Sequence, residues 1–203
     1  TPEVALAVRD AKRAGKSKAE LLHELSNIRG VYVPSLKTDE TCVVRRIVKD
    51  LDAAEFTGEP IVPYLGIVHD RVALEVMRGC TRGCRFCQAG YIYRPIRERK
   101  SETLMELARQ QIACTGYDEV SLLSLSTGDY SEVHKLVPEI IREMEAGKVS
   151  VSLPSLRVDS ELASDLKVMQ TVRKAGLTFA PEAGTQRLRD VINKNVTEDD
   201  ILR

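Results

Sequence analysis

The chain has 203 residues, enough for one domain with a core of its own and a small appendage. Apolar residues make up 43% and charged residues 30%, and Lys+Arg balance Asp+Glu at 30 each, so net charge selects no class of partner. Aromatics at 4% and the absence of Trp argue against a composition built for stacking single-stranded bases, and no apolar run reaches the length of a membrane span.

Residues 3–14 and 18–27 read as two short helices parted by Gly15 and Lys16. The second carries Leu21, Leu22, Leu25 and Ile28 at helical spacing. Pro34, Pro60 and Pro63 break the chain after it, and residues 36–69 read as a linker packed against the C-terminal part of the chain. A regular pattern starts near residue 70. Residues 71–77 read as a strand; Ser101 caps a helix that runs to about Cys114 and is ended by Gly116. Residues 119–125 form a strand, and Ser131 opens a helix that stops at Gly147. Residues 149–153 form a third strand, and Ser160 opens a helix that stops at Gly176. Residues 177–180 form a fourth strand and 185–193 a helix, after which Thr197 and Asp200 make a capping box. Strand and helix thus alternate four times, which predicts an α/β fold with a parallel sheet. No GxGxxG follows any strand, against a dinucleotide-binding fold.

Each strand hands over to a polar segment at its C-terminal end. The first gives RGCTRGCRFCQAG, the second Ser126-Thr127-Gly128-Asp129, the third Pro154-Ser155-Leu156-Arg157 and the fourth Pro181-Glu182-Ala183-Gly184. In a barrel of βα units these ends share one face, and that face holds the active site. The same residue types also make ordinary turns. Four such segments in register, one of them rich in thiols, favour a site.

Cys80, Cys84 and Cys87 form CxxxCxxC. Iron–sulfur clusters are held by thiolates, and two short gaps let one loop wrap three corners of a cube. Gly79 and Gly83 ease tight backbone turns. Three thiols leave one iron open for an exchangeable ligand, by the logic of catalytic metal sites. From Arg78 to Lys100 there are seven basic residues and one acidic one, Glu98. They suit a site that concentrates negative charge; a solvated surface is the plain alternative, and an RNA or phosphate contact a lesser one. A structural zinc site completed by His69 is the competing reading, although zinc prefers paired CxxC. Cys42 and Cys114 read as structural, with Cys114 as a small buried hydrophobe at a helix end. The five cysteines, three of them crowded together, fit a metal site in a reducing cytoplasm better than a disulfide framework. No signal peptide opens the chain, which begins abruptly, as a fragment would.

CxxxCxxC after a first barrel strand, with Phe86 just before the third cysteine, resembles the radical S-adenosylmethionine (SAM) superfamily from about residue 70 to the end. The resemblance implies a partial (βα)6-type barrel with parallel strands, truncated after about four βα units and preceded by a short helical segment. It also implies an enzyme in which Cys80, Cys84 and Cys87 ligate a [4Fe–4S] cluster whose open iron binds SAM. One electron then cleaves SAM to a 5′-deoxyadenosyl radical. By the same resemblance Phe86 meets the adenine. Thr127, Gly128 and Asp129 stand where the family often has Gly-Gly-Glu and hold the SAM amino group. Arg157 pairs with the SAM carboxylate, and Glu182 contacts the ribose or amino group.

The stretch APEAGTQRLRDVINKN is similar to a segment of radical SAM methylthiotransferases, with Ile192-Asn193-Lys194 in place of Met-Asn-Arg. Longer strings resemble an uncharacterised bacterial group in which a cobalamin-binding domain precedes the radical SAM domain. That implies three parts: residues 1–35 as the tail of a cobalamin-binding domain, 36–69 as linker and 70–203 as the incomplete barrel. The cobalamin-ligating Asp-x-His-x-x-Gly is absent, so cobalamin would act only through a domain outside this chain. The implied substrate is a nucleic acid or a protein, modified by methyl transfer or methylthiolation, with an electron donor such as flavodoxin or ferredoxin, in the cytoplasm and away from membranes. Two alternatives stand beside this reading: an iron–sulfur electron-transfer module without SAM cleavage, and a structural zinc module.

Overall fold

The computed structural model describes residues 2–38, 41–154, 156–157 and 179–202. The chain forms two compact units, residues 1–48 and 49–203. No helix among the described residues is long and apolar enough to cross a membrane.

The first unit contains α1 (Pro2–Arg13) and α2 (Lys18–Ser26), within a residue or two of the expected bounds. Gly15, at φ +65, ends the first helix. The Ser17 hydroxyl accepts from the Glu20 amide while the Glu20 carboxylate accepts from the Ser17 amide at 2.8 Å, a reciprocal cap that satisfies two otherwise orphaned donors. A 3-10 turn follows at Pro34–Leu36.

The second unit is built on a parallel sheet of β1 (Val72–Glu75), β4 (Glu119–Leu123) and β5 (Ser150–Ser152), in the order β1–β4–β5. Two short strands, β2 (Met77–Arg78) and β3 (Arg97–Glu98), form a separate antiparallel ribbon, and a short helix α3 (Ala89–Ile92) lies between them in sequence. The parallel strands require crossovers, supplied by α4 (Ser101–Thr115) and α5 (Val133–Ala146). Val72 lies opposite Val120, which in turn lies opposite Val151; Leu74 lies opposite Leu122. These residues join Leu104 and Ala108 of α4 and Leu136, Val137 and Ile140 of α5 in one core. Leu74 and Leu122 are fully buried, each worth about 2 kcal/mol in apolar area removed from water. The α/β class and the parallel strands agree with expectation. The sheet is open, as in a partial barrel.

The expected strand 71–77 divides in two. The Val76 amide donates to the Leu123 carbonyl of the parallel sheet, while its own carbonyl accepts from the Arg99 amide, so the chain changes partners at this residue. The expected strand 119–125 ends at Leu123, where the Ser124 hydroxyl accepts from the Ser126 amide and bends the chain. Strand 149–153 shortens to β5. The helix at 160–176 and Leu177 and Thr178 lie outside the described residues; Phe179 and Ala180 lie in no strand.

Helix starts also differ from the sequence reading. Ser101 is the first residue of α4, not its cap. The Ser101 amide donates to Glu132 at 2.7 Å and the Lys100 amide to Asp52 at 3.0 Å, so two distant carboxylates neutralise the positive end of the helix. Ser131 instead donates its amide and hydroxyl to Glu98, tying the start of α5 to β3. Gly116, at φ +71, ends α4 as expected. Two short helices close the chain: α6 (Gln186–Val191), capped by Thr185, and α7 (Glu198–Leu202), opened by the expected Thr197–Asp200 box.

Residues 50–58 pack on this unit. Leu51 is buried and its carbonyl accepts from the guanidinium of the buried Arg99, which also lies 5.1 Å from the centre of the Phe56 ring. Gln111 donates to the Thr57 carbonyl at 2.6 Å.

Candidate functional site

The cysteine loop, residues 79–96, leaves the sheet after β1 and is closed at its base by the β2–β3 ribbon, which pairs Met77 with Glu98 and Arg78 with Arg97. Gly79 stands at φ +99, and a Cβ there would sit 2.8 Å from the Tyr93 carbonyl oxygen, so glycine is required where the two sides of the loop meet. Cys84 is buried, Cys80 and Cys87 are half-buried, and all three are free thiols. The Cys87 amide donates to the Cys84 carbonyl at 3.1 Å.

The basic residues in and beside the loop are bound into its frame. Arg78 forms a two-point pair with Glu75, both contacts at 2.7 Å. Arg97 donates to the carbonyls of Pro95 and Tyr93, and Arg85 to the Val191 carbonyl. Arg94 lies 5.3 Å from the centre of the Tyr91 ring. A loop outside any sheet leaves many carbonyls without ladder partners, and the guanidinium, with five donors, serves them well.

Around this loop the structure gathers the residues singled out in the sequence. Thr127, Gly128 and Asp129 form a 3-10 turn just past β4. Thr127 is buried and its hydroxyl shares a hydrogen bond with that of Ser124 at 2.8 Å. Asp129 accepts from Arg82 of the cysteine loop through both carboxylate oxygens, Nε to Oδ2 at 2.8 Å. Burial pushes the Asp129 carboxyl up, but the hydrogen bonds and charge of Arg82 and the charge of Arg157 hold it below its ordinary value.

Arg157 donates to the Lys194 carbonyl at 2.7 Å. The Lys194 ammonium lies 3.2 Å from Glu182 and 6.0 Å from the centre of the Phe86 ring. Glu182 itself is held at φ +70, a conformation that costs a residue with a side chain energy and often marks a functional site. A hollow of about 360 Å³ opens at the C-terminal ends of β1 and β4, lined by Arg78, Gly79, Tyr93, Leu123 and Leu125. A second hollow, of about 680 Å³, belongs to the first unit and contains none of these residues.

The sequence reading missed Arg82 as part of this constellation, and noted Asn193 and Lys194 only within the stretch similar to the methylthiotransferases, without giving them a role here. Their partners lie between 12 and 110 positions away, and no local pattern announces them. Ser155 lies outside the described residues. Cys114 is exposed rather than buried: its thiol faces the Gly58 carbonyl at 3.5 Å near the end of α4, where the helix surface is open. Cys42 is likewise exposed, in the first unit. His69, the candidate fourth ligand of a zinc site, shares a hydrogen bond with Arg71 at 2.7 Å.

The donor chemistry fits an iron–sulfur cluster: three unbonded thiols lie on one eight-residue stretch, amid guanidinium groups. Among the described residues no group of three or more His, Cys, Asp or Glu side chains is arranged to hold a metal ion.

Comparison with known proteins agrees with this chemistry. The family described as "Radical SAM superfamily" matches residues 74–203. The uncharacterised protein MJ0966 of Methanocaldococcus jannaschii is 37% identical over 176 residues, 86% of this chain and 37% of that protein. The threonylcarbamoyladenosine tRNA methylthiotransferase MtaB of Bacillus subtilis (strain 168) is 30% identical over 87 residues, 43% of this chain and 17% of that protein. The chain thus spans little more than a third of the longer match and about a sixth of the other. With the family match covering the cysteine loop and every strand of the parallel sheet but the first two residues of β1, the chain belongs to the radical SAM superfamily.

Proposed function

We propose that this chain carries the radical-generating part of an enzyme that cleaves SAM reductively and uses the resulting radical to modify an unreactive carbon of its substrate. The observation that carries the reading is the position of the CxxxCxxC loop, seated past β1 and joined to the turn after β4 by the Arg82–Asp129 pair. Cys80, Cys84 and Cys87 would hold a [4Fe–4S] cluster. When bound, the cluster supplies the electron that splits SAM into methionine and a 5′-deoxyadenosyl radical. Phe86 offers an apolar face to the adenine. Thr127, Gly128 and Asp129 line the approach of the SAM amino group, Arg157 that of its carboxylate, and Glu182 that of the ribose or amino group. An electron donor of the flavodoxin or ferredoxin type supplies the reducing equivalent.

The partial likeness to a tRNA methylthiotransferase supports methylthiolation of a macromolecular substrate as the outcome. Anaerobic reconstitution with iron and sulfide tests the proposal. We expect cluster absorbance and, with dithionite and SAM, release of 5′-deoxyadenosine. A cluster that never cleaves SAM in the full-length protein would leave an electron-transfer module. Stoichiometric zinc without iron uptake would leave a structural one.

A further inference from the structure

Two backbone groups that flank Cys84 are held by a pair of consecutive residues near the other end of the chain. The Gly83 carbonyl accepts from the Asn193 side-chain amide at 2.8 Å, and the Arg85 amide donates to the Ile192 carbonyl at 2.9 Å. These atoms belong to a loop outside any sheet, where each polar group needs a partner from elsewhere. Asn193 also stands at φ +53, a conformation that most side chains avoid and that asparagine tolerates best after glycine. The residue type therefore meets two demands at once: it permits the turn after α6, and it carries a donor into the loop. Gly83 matches it, since a Cβ there would lie 3.0 Å from the Asn193 amide nitrogen.

We infer that Asn193 is a positioning residue for the cluster loop: with Ile192 it fixes the backbone on both sides of Cys84 and so sets how that thiol is presented. The inference rests on the reading of Cys80, Cys84 and Cys87 as cluster ligands. The same segment brings Lys194 over Phe86 and against Glu182, so one stretch of chain orders both the metal loop and the approach to it.

The test uses full-length protein, metal-free and reconstituted. Asn193→Gly keeps the positive φ and loses the donor. We expect a near wild-type circular-dichroism spectrum, faster hydrogen exchange at the Arg85 amide in the metal-free chain, and release of iron to a chelator about three- to tenfold faster, the worth of one net hydrogen bond. Asn193→Asp sets a carboxylate oxygen against the Gly83 carbonyl and should be worse. Gly83→Ala should resemble Asn193→Gly, and the double variant should be no worse than the poorer single one, because both act through one contact. Unchanged exchange and iron release in both Asn193 variants would overturn the inference. So would a lower melting temperature with wild-type iron release, which is what a merely structural residue gives. Wild-type protein that takes up no iron would sink the proposed function instead, and the exchange comparison would then decide on the Asn193–Gly83 contact alone.

Discussion

Arg82, within the cysteine motif, and Asp129, in the turn past β4, form a two-point ion pair across 47 positions of sequence, with the carboxylate side chain only 13% exposed. Arg82→Ala leaves that carboxylate without its cation. The expected cost is about 2 kcal/mol, read as a fall of about 4–8 °C in melting temperature. The pair depresses the Asp129 carboxyl, so its stabilisation is complete above the ordinary carboxylate range and is lost as pH falls through the lowered value. The gap between variant and wild type should therefore be full near neutrality and close in strong acid; melting curves across pH check it.

Cys84 is the most buried of the three thiols at 9% exposure. Cys84→Ala should remain soluble and fail to assemble a cluster, measured as iron and sulfide content after reconstitution. Normal iron content in that variant would remove Cys84 from the ligand set.

Glu182 carries a carboxylate at φ +70, where glycine would sit without strain. Glu182→Gly should therefore be more stable than Glu182→Ala by about 1 kcal/mol. Both variants should bind SAM more weakly with the cluster intact, as followed by equilibrium dialysis. Wild-type affinity in Glu182→Gly would make the residue a turn former only.

Glu132 accepts from the Ser101 amide at 2.7 Å and from the Tyr130 hydroxyl at 3.3 Å, and the first of these contacts chiefly lowers its carboxyl. Removing it in Glu132→Ala should cost about 1 kcal/mol, the usual worth of a helix cap, seen as a modest drop in melting temperature near pH 7. Because the folded value is lowered, this contribution also fades as pH falls below the ordinary carboxylate range.

The framework of β1, α4, β4, α5 and β5 was legible because buried Val72, Leu74, Val120 and Leu122 alternate along strands and because Gly116 and Gly147 end helices at the expected places. The Thr197–Asp200 box was legible for the same reason: its partners are three residues apart. What escaped the sequence is what depends on distant meetings. Ser101 and Ser131 look like caps, yet Glu132 and Asp52 cap α4 and Glu98 takes Ser131. The motif named the thiols, but nothing local shows that Arg82 meets Asp129 or that Asn193 reaches Gly83. Such pairings arise only once the fold has brought the chain ends of separate βα units together.

The small ribbon of Met77–Arg78 with Arg97–Glu98 works as a hasp at the neck of the metal loop. Its two strands hold the entry and exit of residues 79–96 side by side. Exchanges at loop positions other than the three cysteines, Gly79 and Arg82 should therefore leave the parallel sheet untouched, so the rim of the loop can vary while its neck keeps one geometry.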